Sequence, residues 1–146
     1  MSISLSSSQN NNKAFILLSE KGLKITKNRL NILNLLLSSN LPLSHQDIKK
    51  MLPKLDKVTV YRVLDTLCKN KIVHKLETQN RFWLFAVCLC GKNEHCHPHF
   101  YCKKCKKTEC LNDISLPQWN EFRKGYLIEN QEIYLYGLCL NCSKGV

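Results

Sequence analysis

Between residues 13 and 70 the apolar positions recur every three or four residues, the period of a helix that buries one face. Beyond residue 70 they come in short runs rich in β-branched and aromatic residues. The first regime predicts four helices. One spans about Lys13–Glu20 and is ended by Gly22. A second is capped by Thr26 and runs to Ser38, with Leu30, Leu33, Leu36 and Leu37 at helical spacing. A third starts at Ser44, with Asp47 three residues on, turns Ile48, Met51 and Leu52 inward and stops before Pro53. A fourth is capped by Asp56 and reaches Asn70, with Val60, Leu64 and Leu67 on one face and Val63 and Cys68 beside it.

The second regime opens with Ile72–Leu76 and Arg81–Val87 around the polar Thr78-Gln79-Asn80, a hairpin signal. A short helix is expected within Leu111–Lys124, and two strands within Gly125–Leu138 around Glu129-Asn130-Gln131, with Arg81–Val87 available to pair with them. Residues 1–12 are Ser, Asn and Gln around isolated Ile3 and Leu5, and are expected to be a disordered arm. Helices followed by a hairpin predict a winged helix-turn-helix over 13–84, with the third and fourth helices as the pair that reads DNA. The remainder, 85–146, is expected to be a small α/β unit, too short to bury a large core without a metal or a partner subunit. The class is α+β.

Charge separates the same two parts. Residues 1–82 carry 14 Lys and Arg against 5 Asp and Glu, a net +9; residues 83–146 carry 8 against 6, a net +2. A basic N-terminal part favours a polyanion such as double-stranded DNA. Thr59, Tyr61 and Arg62, near the start of the fourth helix and away from Leu64 and Leu67, are the candidates to meet bases or phosphates. The bland alternative is a solvated face with Tyr61 half-buried. His45 is expected to be exposed, and Cys68 to be a small core residue. No apolar run reaches the roughly 18 residues of a membrane span, and no secretory leader pattern opens the chain, so a cytoplasmic protein is expected.

Cysteine runs opposite to charge: one of nine lies in the first part and eight in the second. An odd number in a reducing compartment argues for metal rather than a disulfide framework. Cys102–Cys105 and Cys139–Cys142 are two CxxC pairs, a spacing that wraps two thiolates and turn amides around one tetrahedral Zn²⁺. The alternatives are a redox pair or unrelated thiols. Cys88, Cys90, His95, Cys96, His97, His99 and Cys110 fall within 23 residues, with His74 upstream in the hairpin. On a strand His95, His97 and His99 would share one face. Mixed nitrogen and sulfur donors favour zinc over iron or manganese, although some of the eight are expected to be plain surface residues.

These segments resemble the ferric uptake regulator family, closest to its zinc-uptake branch. The resemblance rests on GLKITKNRLNIL (22–33), LSHQDI (43–48), VTVYRVLDTL (58–67), IVHKLE (72–77), HPHFYCKKCKKTECL (97–111) and GLCLNC (137–142). It implies a winged-helix DNA-binding domain, a hinge and a dimerisation domain with structural zinc on Cys102, Cys105, Cys139 and Cys142. It also implies DNA contacts by Lys24, Arg29, Tyr61 and Arg62. A regulatory metal would draw on His74, on Cys88 or Cys90, on His95, His97 or His99, and on the position eight after Cys102. That position holds Cys110 rather than a carboxylate. Pro42 stands where iron and peroxide sensors of the family use a histidine, and Lys106 where the family usually has glycine.

The implied function is a homodimeric repressor of zinc-uptake genes that binds palindromic operators when zinc is bound. An iron- or peroxide-sensing repressor is the alternative within the family. A thiol enzyme is disfavoured, because no HExxH, catalytic dyad or nucleotide loop is present. An RNA-binding zinc ribbon is disfavoured, because the aromatics fall in expected strands and core.

Overall fold

The computed structural model describes residues 3–78, 81–89, 97–114, 123–129 and 131–145, with side chains from residue 8 onward. It forms two units, Met1–Cys88 and Leu89–Val146.

The first unit is the winged helix-turn-helix. Its helices are α1 (Ile3–Glu20), α2 (Lys27–Ser38), α3 (His45–Met51) and α4 (Lys57–Lys69). Its strands are β1 (Leu43–Ser44), β2 (Val73–Glu77) and β3 (Trp83–Val87), in the order β1-β3-β2 and antiparallel throughout. Thr26 caps α2 by accepting from the Arg29 amide at 3.3 Å. Ser44 and Asp47 close a capping box on α3, through the Asp47 amide to Ser44 Oγ at 3.1 Å and the Ser44 amide to Asp47 Oδ2 at 3.0 Å. Asp56 caps α4 through the Thr59 amide at 2.9 Å. Gly22, at φ +64°, ends α1: its amide donates to the Ser19 carbonyl and that of Leu23 to Leu18. Lys71 repeats this turn after α4 at φ +56°, with Ile72 N–H on the Leu67 carbonyl.

The core gathers one face of every helix. Leu18 of α1, Ile32 and Leu33 of α2, Ile48 of α3 and Val60, Leu64 and Leu67 of α4 close on Val73 and Phe85 of the sheet. Met51, expected inward, is 56% exposed, because α3 ends there and its last turn projects beyond the core.

Helix α1 departs further from expectation. It begins at Ile3 rather than Lys13, so the proposed arm is helical in the structure. Ala14 and Leu18 anchor it, and the Asn34 side-chain amide of α2 donates to Asn11 Oδ1. A helix nucleated by packing extends into polar sequence at little cost per residue.

The second unit is a three-stranded sheet, β4 (His99–Cys102), β5 (Thr108–Cys110) and β6 (Tyr134–Gly137), in the order β5-β4-β6. Strand β4 pairs antiparallel with β5, placing His99 opposite Cys110, and parallel with β6. A single turn of helix, α5 (Leu140–Ser143), follows. Arg81–Val87, offered as a partner for this sheet, belongs instead to the wing, because β1 supplies its second edge. Of the two strands expected in 125–138, one forms, and the described residues before it carry none. Most of the expected helix 111–124 lies outside the described residues.

Candidate metal centres and nucleic-acid interface

The first centre is built by two knuckles of the second unit. After β4 the chain turns at Lys103–Lys106; the Lys106 amide donates to Cys102 O and the Cys102 amide to Lys107 O, both at 2.9 Å. The turn requires Lys106 at φ +64°, which explains why glycine suits that position. The second knuckle starts α5: the amides of Cys142 and Ser143 both donate to Cys139 O at 2.9 Å. Lys103 N–H on Gly137 O at 2.8 Å ties one knuckle to the other.

The four sulfurs of Cys102, Cys105, Cys139 and Cys142 lie within 4.8 Å of one another, with Cys105 and Cys139 Sγ 3.8 Å apart. A tetrahedron with Zn–S bonds of about 2.3 Å has edges of about 3.8 Å, so the cluster is positioned to bind zinc. Backbone amides prepare it. The Cys139 N–H reaches Cys102 Sγ at 3.4 Å and, with those of Cys105 and Lys104, holds the Cys102 thiol down to about 6. The Cys142 thiol is pushed up to about 12, first by its hydrogen bond with Cys139 and then by burial. Without an ion these four thiols cannot all ionise, and zinc supplies the charge that lets them.

A second group lies on the same sheet. His97, His99 and Cys110 offer ligand atoms within 4.8 Å of one another. The strand register sets His99 against Cys110, and the imidazoles of His97 and His99 meet edge to face at 5.0 Å between centroids. Both histidines are buried. Two nitrogens and one sulfur at this separation suit a tetrahedral soft-metal site. His74 is buried on β2 opposite Ala86, and Cys88 is half-buried at the end of β3 with its amide on Ile72 O, so both belong to the first unit. Cys90 and His95 lie outside the described residues.

The candidate DNA residues divide by how free they are. Tyr61 is 65% exposed, not half-buried, and Arg62 beside it is exposed too. Thr59 is committed to the cap: its Oγ1 donates to Asp56 Oδ2 at 2.6 Å, and this bond is the chief cause of the lowered Asp56 pKa. Arg29 Nη1 donates to Lys24 O at 2.6 Å, so Arg29 braces the loop that leaves Lys24 exposed.

Sequence reasoning passed over the wing. Phe82 and Trp83 are 46% and 42% exposed, and the Lys75 ammonium sits 3.8 Å from the centre of the Trp83 ring. The signal was present in the sequence, since two adjacent aromatics cannot both face one side of a strand. His45 was also misjudged: it is half-buried, with Nε2 enclosed.

Known proteins resemble this chain in sequence and in fold. The model of the ferric uptake regulator family matches residues 20–136. The zinc uptake regulation protein of Escherichia coli is 28% identical over 130 residues, covering 84% of this chain and 75% of its own. The ferric uptake regulation protein of Bordetella parapertussis is 30% identical over 136 residues, covering 88% and 95%. A solved zinc uptake regulator complexed with zinc and DNA superposes with a TM-score of 0.72 over 95% of this chain and 96% of that one; at 22% identity the likeness is one of fold. The chain belongs to the ferric uptake regulator family.

Proposed function

We propose that this protein is a zinc-responsive repressor of zinc-uptake genes, cytoplasmic, homodimeric and bound to palindromic operator DNA. The observation that carries the metal assignment is the donor set: His97, His99 and Cys110 converge where a family member with a carboxylate at that position would offer a harder site. Structural zinc on Cys102, Cys105, Cys139 and Cys142 holds the second unit together. The regulatory ion takes His97, His99 and Cys110, and the sequence resemblance supplies His74, with Cys88 or Cys90 as the further thiolate. The bound ion links groups on both units and so restricts the angle between DNA-binding domains of the dimer. A bias of a few kcal/mol toward the operator-matched form suffices for a switch.

DNA binding is supported by the winged fold, by the basic first part and by exposed Lys24, Tyr61 and Arg62. Dimerisation is supported by exposed apolar residues of the second unit, among them Leu127 at 85%, Leu140 at 73% and Tyr136 at 50%. The family also holds ferric regulators of equal similarity, so the discriminating measurement is operator anisotropy with apo, Zn²⁺-, Fe²⁺- and Mn²⁺-loaded protein in reductant. Zinc alone should produce tight binding at free concentrations where iron and manganese do not. Tight binding with iron at equilibrium, and none with zinc, would overturn the zinc reading. Cys110→Ala should keep the structural zinc and the dimer but lose zinc-dependent binding.

A further inference from the structure

The two histidines of the second unit's mixed donor group flank a proline, His97-Pro98-His99, and all three residues are buried. His99 opens β4 and is held from both sides of the strand. It stands opposite Cys110 of β5, and its amide donates to Ile133 O, next to β6, at 2.9 Å. His97 precedes the strand, yet its imidazole meets that of His99 at 5.0 Å between centroids. The backbone that sets this separation passes through Pro98.

Pro98 also ends the β4–β5 ladder. Antiparallel pairing alternates residues that exchange two hydrogen bonds with residues that exchange none. In the register that sets His99 against Cys110, residues 98 and 111 fall in a bonded pair, and the Leu111 amide donates to Pro98 O at 3.0 Å. The reciprocal bond cannot form, because proline has no N–H. The Leu111 carbonyl accepts instead from the Ile114 amide at 3.1 Å, and the chain turns after β5. The proline ring fixes its own φ and biases His97 away from helical backbone. Extended backbone through Pro98 puts residues 97 and 99, two apart, on one face.

We propose that Pro98 is a positioning residue of the regulatory metal site, holding His97 beside His99 before the ion arrives. The inference rests on the reading above in which His97, His99 and Cys110 take that ion. A site whose donors converge only part of the time binds with an affinity reduced by that fraction. The strand register already sets His99 against Cys110, so His97, ahead of the strand, is the donor whose placement depends on a local restriction. Proline supplies that restriction without a hydrogen bond, by removing backbone freedom that the ion would otherwise have to remove.

The test uses the full-length protein with its structural zinc in place and Co²⁺ as the probe of the second site. Cys110→Ala identifies that site, because it should remove the thiolate-to-cobalt absorption of the second ion. Pro98→Ala should weaken binding of this Co²⁺ by about two- to fivefold, and Pro98→Gly by more, with the spectrum at saturation staying that of the wild type. Both variants restore the N–H at residue 98, so the difference between them reads backbone freedom alone. Before the second ion is added, the amide-to-α-proton coupling of His97 should report extended backbone in the wild type and averaged backbone in both variants. The couplings of Phe100 and Tyr101 should not change. Unchanged or tighter cobalt binding in both variants, while Cys110→Ala still removes the absorption, overturns the positioning role and leaves the site intact. Weaker binding with the His97 coupling unchanged overturns it too, as does loss of the structural zinc, which would make Pro98 a support of the fold. A wild-type protein that takes no second ion, or one whose absorption survives Cys110→Ala, overturns the metal reading and the role of Pro98 with it.

Discussion

The two units solve the same problem of staying folded with opposite materials. The first buries Leu18, Ile32, Leu33, Ile48, Leu64 and Leu67 with under 2% exposure, each contributing about 1.5–3 kcal/mol by leaving water. The second buries His97, His99, Tyr101, Cys102 and Thr108 among its described residues, mostly polar groups whose burial is unfavourable unless they are hydrogen-bonded or liganded. The first unit rests on its own apolar surface, whereas the second, on the reading proposed above, draws its stability from a metal.

Removing the metal from the second unit is the largest available break. Cys102→Ser should release the structural zinc, whose binding in small domains is worth an apparent ~10–16 kcal/mol, and abolish the unit's cooperative unfolding. Zinc content by mass spectrometry should fall, and helical circular dichroism from the first unit should persist with its own melting transition. Loss of both transitions together would show that the units are not independently stabilised. Acid should do the same reversibly. Zinc requires the Cys142 proton, held up to about 12 in the metal-free cluster, to leave; apparent zinc affinity therefore falls as pH falls, and chelator competition should strip zinc more readily at pH 6 than at pH 8.

The converse break is Leu64→Ala. Leu64 is 1% exposed at the centre of the apolar core, so truncation should cost the first unit about 2–5 kcal/mol. Zinc stoichiometry should stay at the wild-type value. A loss of zinc on this substitution would mean that the apolar core supports the metal unit.

Legibility in the sequence followed the same division. Helices α2, α3 and α4 were readable because helical period and polar caps agree at Thr26, Ser44 and Asp56. The four-cysteine centre was readable because CxxC spacing dictates a knuckle whatever lies between the pairs. What failed was long-range or contextual. Helix α1 extends to Ile3 because α2 lies beside it, which no local composition reveals. Strand β1 is two residues long, too short to show a period, and it takes the edge of β3 that the second sheet was expected to use. The pairing of His99 with Cys110 follows from a hairpin register that the sequence spacing alone leaves open.

A smaller test concerns the capping box on α3. Ser44→Ala removes the acceptor of the Asp47 amide and the donor to Asp47 Oδ2, and should destabilise the first unit by about 1 kcal/mol in denaturant titration. The zinc affinity of the second unit should not change. A shift in that affinity would couple the two kinds of stability through the helix-turn-helix.

The smallest effect compares two lysines in the same backbone conformation, Lys71 at φ +56° in the first unit and Lys106 at φ +64° in the second. Replacing either by glycine relieves about 1–2 kcal/mol of left-handed strain and loses about 0.4–1 kcal/mol to the greater freedom of the unfolded chain. Lys71→Gly should therefore gain between about zero and 1.6 kcal/mol for the first unit. Lys106→Gly also removes a cation next in sequence to Cys105, one of four thiolates that carry net negative charge when zinc is bound. That lost attraction opposes the gain and is screened by salt. The gain in zinc-unit stability from Lys106→Gly should thus be smaller than that from Lys71→Gly at low salt and approach it at about 1 M salt. A gain at Lys106 that shrinks as salt rises would contradict the electrostatic role of the lysines around the cluster. The metal-held unit would then differ from the apolar one in its ligands alone.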